Sequence, residues 1–216
     1  MRPAPQRLDS LPRAASPFTS PAPQVRPVRP ADAPAMQAYL AGLDGESRWL
    51  RFHGGIDPAA PALLRHLTGA DGRRHHGFVA ACALDDGDLI VGEAQCVLLA
   101  DGTAAEFAIS VAAGQRGGGL AARLMAVVIE AATSAGAPTL HGEVRAGNAR
   151  MAAFMARQGF RLDAGADTEP GVVRHVRTLA AAATPAAVDR ALPAAWRTDW
   201  MTGWRRLRAW RPLAWR

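Results

Sequence analysis

The stretch VAAGQRGGGLAARLM, residues 111–125, packs four glycines around Arg116 and then runs into alanines, leucines and a methionine. Glycine inside a helix costs roughly 1 kcal/mol against alanine, so the cluster marks either a plain flexible loop or a place where backbone comes close to a ligand. The residues before it alternate like a strand and those after it repeat at helical spacing. A helix entered from a glycine turn offers unpaired N–H groups and the positive end of its dipole to an anion. Gly117, Gly118 and Gly119 remove the side chains that would hold a phosphate away, while Gln115 and Arg116 add donors and charge at the rim. A diphosphate is the natural guest of such a turn. No Lys-Ser/Thr follows, which excludes a Walker A loop, and the GxGxxG dinucleotide fingerprint fails in spacing and lacks its acidic partner.

The elements that must position this turn can be read along the chain. Val25 to Arg29 alternates like a short strand, Asp32 is placed to cap a helix, and Met36, Tyr39, Leu40 and Leu43 recur at helical spacing. ESRWLRFHGGI is a second apolar-basic stretch, and Leu63, Leu64 and Leu67 form a helical stripe ended by Gly69, so a short helix pair is the simplest account. Three strands follow at Gly77 to Leu84, Leu89 to Leu98 and Ala104 to Val111, separated by DDGD and ADGT turns. Leu120, Leu124, Val127, Val128 and Ala131 mark a helical face stopped by Gly136 and Pro138. TLHGEV reads as a strand, Asn148 as the N-cap of a helix with Met151, Ala152, Met155 and Ala156 on one face, and FRLD leads to a last strand near VVRHVRTL. The expected fold class is α/β, a mixed central sheet flanked by helices, locally parallel where a crossover joins the third meander strand to TLHGEV.

At 216 residues and 49% hydrophobic content the chain suits one globular domain with appendages. Residues 1–24 are rich in Pro, Ala, Arg and Ser without periodicity and are expected to be disordered. No apolar run approaches the roughly 20 residues of a membrane span, and the N-terminal stretch lacks the apolar segment of a signal peptide, so a cytoplasmic protein is expected. The net charge is +6 and all 25 basic residues are arginine, a bias that favours polyanionic ligands without specifying nucleic acid. Cys82 and Cys96 fall in expected core strands with neither a CxxC nor a Cys/His ligand spacing, which points to buried thiols and to no metal. His75 and His76, in GRRHHGF, are assigned to a solvated turn.

Arg116 to Ala121, RGGGLA, resembles the Q/R-x-x-G-x-G/A motif of the GNAT acyltransferase superfamily, and NARMAAFMARQGF, Asn148 to Phe160, resembles that superfamily's second signature. The resemblance covers residues 25–180 and implies the GNAT fold with acetyl-CoA as co-substrate. GLDGESRWLRFHGG and AEFAISV are similar to the branch containing bacterial protein-lysine acetyltransferase domains. It implies that Gln115, Arg116, Gly117, Gly118, Gly119, Leu120, Ala121 and Asn148 hold the coenzyme. The backbone around Ile109, Ser110 and Val111 would engage the pantetheine arm. Glu106, on the strand feeding the glycine turn among apolar neighbours, is the expected base, since partial burial helps a carboxylate accept a proton. Arg48, Trp49 and Arg51 would line the acceptor mouth, or Trp49 packs on the core with its arginines solvated.

The function expected is transfer of an acetyl group to a primary amine, of a protein lysine or a small molecule, by direct attack in a ternary complex. The alternative is a non-catalytic acyl-CoA-binding regulatory module. The resemblance also implies a tyrosine that protonates the departing thiolate, but this chain has Met155 there, with Ser110 and His141 as candidate substitutes. Residues 181–216 lie outside the family pattern. Trp196, Trp200 and Trp204 recur every fourth residue among arginines, a face that would dock on the domain or a second copy, or lie on an anionic membrane. Nucleic acid is disfavoured because no recognition module accompanies it.

Overall fold

The computed structural model describes residues 22–85 and 87–179, so the expectations for the N-terminal tail before residue 22 and for the Trp/Arg-rich extension fall outside the described residues. Within that span the order is β1 (Gln24–Pro27), α1 (Ala33–Gly42), α2 (Gly45–Phe52), α3 (Pro61–Thr68), β2 (His75–Leu84), β3 (Gly87–Leu98), β4 (Ala105–Val111), α4 (Leu120–Ser134), β5 (Thr139–Arg145), α5 (Ala149–Arg157), β6 (Arg161–Asp163) and β7 (Val172–Thr178). Seven strands form one sheet in the order β1-β2-β3-β4-β5-β7-β6, mixed as expected. Every neighbouring pair is antiparallel except β4 and β5. The α4 crossover between those two strands makes them parallel.

The expected helix pair is corrected to three helices. Asp44 ends the turn after α1 and its carboxylate accepts the Ser47 N–H at 2.7 Å, a side-chain N-cap that starts α2 inside ESRWLRF. Asp32 occupies the cap position of α1 but does not cap it. Its carboxylate instead takes two hydrogen bonds from the Arg26 guanidinium, both 2.8 Å, and one from the Arg29 N–H. That bidentate pair ties β1 to the entry of α1.

Two apolar layers sandwich the sheet. On one face α4 and α5 bury Leu124, Met125, Val128 and Met155 against Ala80, Ala94, Cys96, Phe107 and Leu140. On the other, α1 and α3 bury Met36, Leu40, Leu63 and Leu67 against Val79, Ala81 and Ile90. Each large side chain taken fully out of water contributes about 1.5–3 kcal/mol. Both cysteines are buried, and burial pushes the Cys96 thiol up to about 12. No described helix is long and apolar enough to cross a membrane.

A bulge decides which polar residues enter the second layer. Ala81 pairs with Ile90 but Ala80 with Gly92, which leaves Val91 as the extra residue of β3. Beyond it the side chains change face, and Glu93 and Gln95, 0% and 1% exposed, point toward α1–α3. His75 belongs to this row and not to a solvated turn: it opens β2, is 3% exposed, and its Nε2 lies 2.6 Å from Gln95 Oε1. His66 of α3 stacks on it at 4.9 Å between ring centroids. Burial, with His75 alongside, lowers the His66 imidazole to about 3, so it is neutral at physiological pH.

Candidate functional site

The parallel pairing of β4 and β5 is short. It consists of Ala105 opposite Leu140 and Glu106 opposite His141, although β4 continues to Val111 and β5 to Arg145. Each strand stays paired on its outer side, β4 with β3 and β5 with β7. The sheet therefore opens as a wedge with Glu106 and His141 at its vertex. Phe107, Ile109, Gly142, Val144, Asn148 and Met155 line it, with Leu50 and Arg51 of α2 at one side.

Hydrogen-bond parity sets which backbone groups face the wedge. Leu99 N–H donates to Ala104 O and Ala112 N–H to Val91 O, both at 2.9 Å, so the even-numbered residues of β4 bond to β3. The N–H and C=O groups of Phe107, Ile109 and Val111 then turn toward the opening. Ser110 does not: its backbone faces β3 and its side chain faces α1 and α2. Of the three backbone positions expected to meet a pantetheine arm, Ile109 and Val111 turn their N–H and C=O groups into the wedge.

At the open end of β4 the glycine turn forms an open backbone cradle. Gly117 and Gly119 have φ of +85° and +79°, conformations that favour glycine, and a Cβ on either would meet open space. Gly119 occupies the N-cap position of α4 with no side-chain cap, and the first helical bond there is Arg123 N–H to Gly119 O. The amides of Leu120 and Ala121 thus lack helical acceptors and face that space. Asn148 caps α5, its Oδ1 accepting the Met151 N–H at 3.0 Å, as its place in the sequence predicts. Gln115 sits in a short turn before Arg116.

Arg116 is already engaged. Its guanidinium donates to Ser47 Oγ at 2.6 Å and stands 3.7 Å from Asp44 Oδ2, tying the glycine turn to the first turn of α2. Arg51, later on the same helix, is bound to Glu93 through Nε at 2.7 Å and an η nitrogen at 3.2 Å, with side chains 4% and 0% exposed. Ser110 Oγ donates to the same carboxylate at 2.7 Å, so the Tyr39 hydroxyl, 2.9 Å from Ser110, is the donor in that contact. Burial and the Glu93 charge push the Tyr39 phenol well above its usual range. Arg51 thus anchors α2, the wall of the wedge, rather than reaching freely toward an acceptor. Arg48 is half-buried on the same helix, and Trp49, 45% exposed, carries the Arg145 guanidinium 4.2 Å from its ring centre.

At the vertex, Glu106 Oε2 lies 4.0 Å from His141 Nε2, with side chains 21% and 9% exposed. The carboxylate is open to a small reactant and held beside an imidazole. Across the wedge floor the Phe107 ring packs on Gly142, where an added Cβ would come within 2.6 Å. That close approach accounts for glycine in HGEV. Met155 is fully buried in the same wall. Among the described residues no group of three His, Cys, Asp or Glu side chains stands together to hold a metal ion.

Residues 46–160 match the model of the acetyltransferase (GNAT) family. The chain belongs to that family. A curated acetyltransferase of Pseudomonas aeruginosa is 31% identical over 137 residues, 63% of this chain and 73% of the relative. The GNAT domain of PAT from S. lividans superposes with a TM-score of 0.65 at 21% identity, covering 73% of this chain and 90% of that one. The protein yncA from Salmonella typhimurium, solved with its cofactor acetyl-CoA, superposes at 0.54 with 20% identity over 76% and 98% of the two chains. As a GNAT N-acetyltransferase the chain is an enzyme, and the wedge, cradle and Asn148 cap lie in the segments that share the family's fold. Arg145, Glu93 and Asp44 were not singled out from the sequence. Asp44 had a readable signal, an Asp two residues before Glu46 at the head of an amphipathic stretch. Glu93 and Arg145 had none, because their roles depend on partners 42 and 96 residues away.

Proposed function

We propose that this GNAT enzyme uses acetyl-CoA to acetylate a primary amine, on a protein lysine or a small molecule, by direct attack within the β4–β5 wedge. One observation carries the reading: a reachable carboxylate at the vertex of a wedge whose open end is an uncapped helix N-terminus with a side-chain-free approach. The residues fit the coenzyme. The amides of Leu120 and Ala121 with Gly117–Gly119 would hold its diphosphate, and the inward groups of Ile109 and Val111 would hold its pantetheine arm. Bound there, acetyl-CoA supplies an activated thioester.

Glu106 takes the proton that the acceptor ammonium must lose before its nitrogen can attack the thioester carbonyl carbon. The new C–N bond forms as the C–S bond breaks; the nitrogen sheds its second proton on becoming an amide, which balances the proton that converts the departing thiolate to the thiol. Inward N–H groups of β4 stabilise the oxygen that gains charge. A thiolate of ordinary basicity, with pKa about 8.5, departs without a dedicated acid, which agrees with methionine at position 155. A diphosphate at the cradle also offers Arg116 a second anionic partner beside Asp44 and Ser47. Binding of coenzyme and the position of α2 are thereby coupled.

Calorimetric titration with acetyl-CoA tests the binding half of this reading. We expect one site per chain, with Gly119→Asp lowering affinity at least about tenfold by placing a carboxylate at the cradle. Equal affinity in that variant would remove the glycine turn from the coenzyme site.

A further inference from the structure

Of the arginines around the acceptor side of the wedge, three have a carboxylate partner: Arg51 has Glu93, Arg174 has Glu143 at 3.0 Å, and Arg116 has Asp44. Arg145 differs. Among the described residues no carboxylate lies within ion-pair distance of it, and its Nε, like that of Arg174, is buried without a hydrogen-bond partner. Its η nitrogen makes only a 3.5 Å contact with the carbonyl of His53. The guanidinium carbon instead lies 4.2 Å from the centre of the Trp49 ring, on a residue that is 45% exposed and precedes Leu50 of the wedge wall. A cation held in place by an aromatic face, with donors left over, is a preformed receptor for a small anion.

Its position along β5 says where that anion would lie. His141, Glu143 and Arg145 alternate on the strand and share the face toward α2, opposite the face on which Leu140 and Val144 enter the core. Arg145 stands four residues from the vertex, about 13 Å along the strand. Between the two, Glu143 accepts a hydrogen bond from Arg174 at 3.0 Å. The face therefore offers a carboxylate at the vertex, an ion pair beyond it and a cation at the far end of the strand.

We propose that Arg145, clamped on Trp49, selects acceptors that carry an anionic group, a carboxylate or a phosphate, at the far end of a chain from the amine to be acetylated. The proposal rests on the acetyl-transfer reading above and narrows its acceptor. Glu106 receives the ammonium end and Arg145 the anionic end, so the chain between them sets which amine reaches the thioester.

Thiol release from acetyl-CoA by the full chain, with four amines, separates the two claims: 6-aminohexanoate, 6-aminohexanamide, 5-aminopentyl phosphate and a lysine peptide without acidic groups. We expect kcat/KM for one anionic acceptor to exceed that for the amide at least about tenfold, since a charge-assisted pair is made with one and not the other. In Arg145→Met that ratio falls to below about 2, and Arg145→Lys keeps part of it. The faster of carboxylate and phosphate names the anion. Unchanged acetyl-CoA affinity by calorimetry shows that the variant is folded. Equal rates on all four amines, or a ratio that Arg145→Met leaves intact, overturn the proposal while the acetyl-transfer reading stands. Loss of acetyl-CoA affinity in Arg145→Met overturns it too, by giving the arginine to the coenzyme. Release with none of the four overturns both.

Discussion

Glu106→Gln lowers kcat/KM for amine acetylation by about 10²–10⁴-fold and leaves acetyl-CoA affinity unchanged. Glutamine has nearly the shape of glutamate and can still face His141 across the vertex, but it cannot take a proton from the acceptor ammonium. The loss belongs to kcat/KM and not to coenzyme binding because Glu106 precedes the point where β4 and β5 part, while the cradle lies beyond Val111. Steady-state thiol release at saturating acetyl-CoA, beside a calorimetric titration of the same variant, reads both quantities. Raising the pH should recover part of the lost rate, since solvent then supplies the neutral amine that the variant no longer generates. A rate within a few-fold of wild type at pH 7 would remove Glu106 as the base.

Arg51→Met lowers stability by about 3–5 kcal/mol, because it leaves the Glu93 carboxylate charged, 0% exposed and without its cation. At roughly 2–4 °C per kcal/mol for a domain of this size, the midpoint of thermal unfolding falls by about 10 °C. The double variant Arg51→Met with Glu93→Gln recovers most of that loss, since a neutral amide can still accept from Ser110 while no buried charge remains. A double-mutant cycle by chemical denaturation measures the coupling. If Arg51→Met alone stays within about 1 kcal/mol of wild type, the pair is not what seats α2 on the sheet. The consequence reaches the site, because α2 carries Trp49 and Leu50 and its first turn is held by Arg116.

How far the site can be read from the sequence follows from how local each signal is. The glycine turn and the Asn148 cap are local chemistry: a positive φ that favours glycine, and a side-chain oxygen that meets an amide three residues on. Both are visible in residues a few positions apart. The pair of Arg51 and Glu93 joins residues 42 apart, and nothing near Glu93 in VGEAQCV marks it as buried. Its burial follows from the bulge at Val91, which changes the alternation of β3 in mid-strand, so a strict period of two misassigns the face. The same register draws His75 out of an expected turn and under α3, where Gln95 receives it. α2 is hard to tell from a loop in the sequence because only Asp44 and eight residues define it. Arg145 reads in sequence as one more arginine in a chain that uses no lysine, and only its stacking on Trp49 separates it from the rest.

The central claim is that the wedge between β4 and β5 carries out acetyl transfer to an amine. It is tested most directly by following coenzyme A thiol and N-acetylated product together, in one reaction of the full chain with acetyl-CoA and a panel of amines and lysine peptides. The account predicts that thiol and N-acetyl product appear one for one, only when an acceptor is present. Acetyl-CoA binding with no thiol released by any acceptor, or thiol released without N-acetyl product, would contradict it.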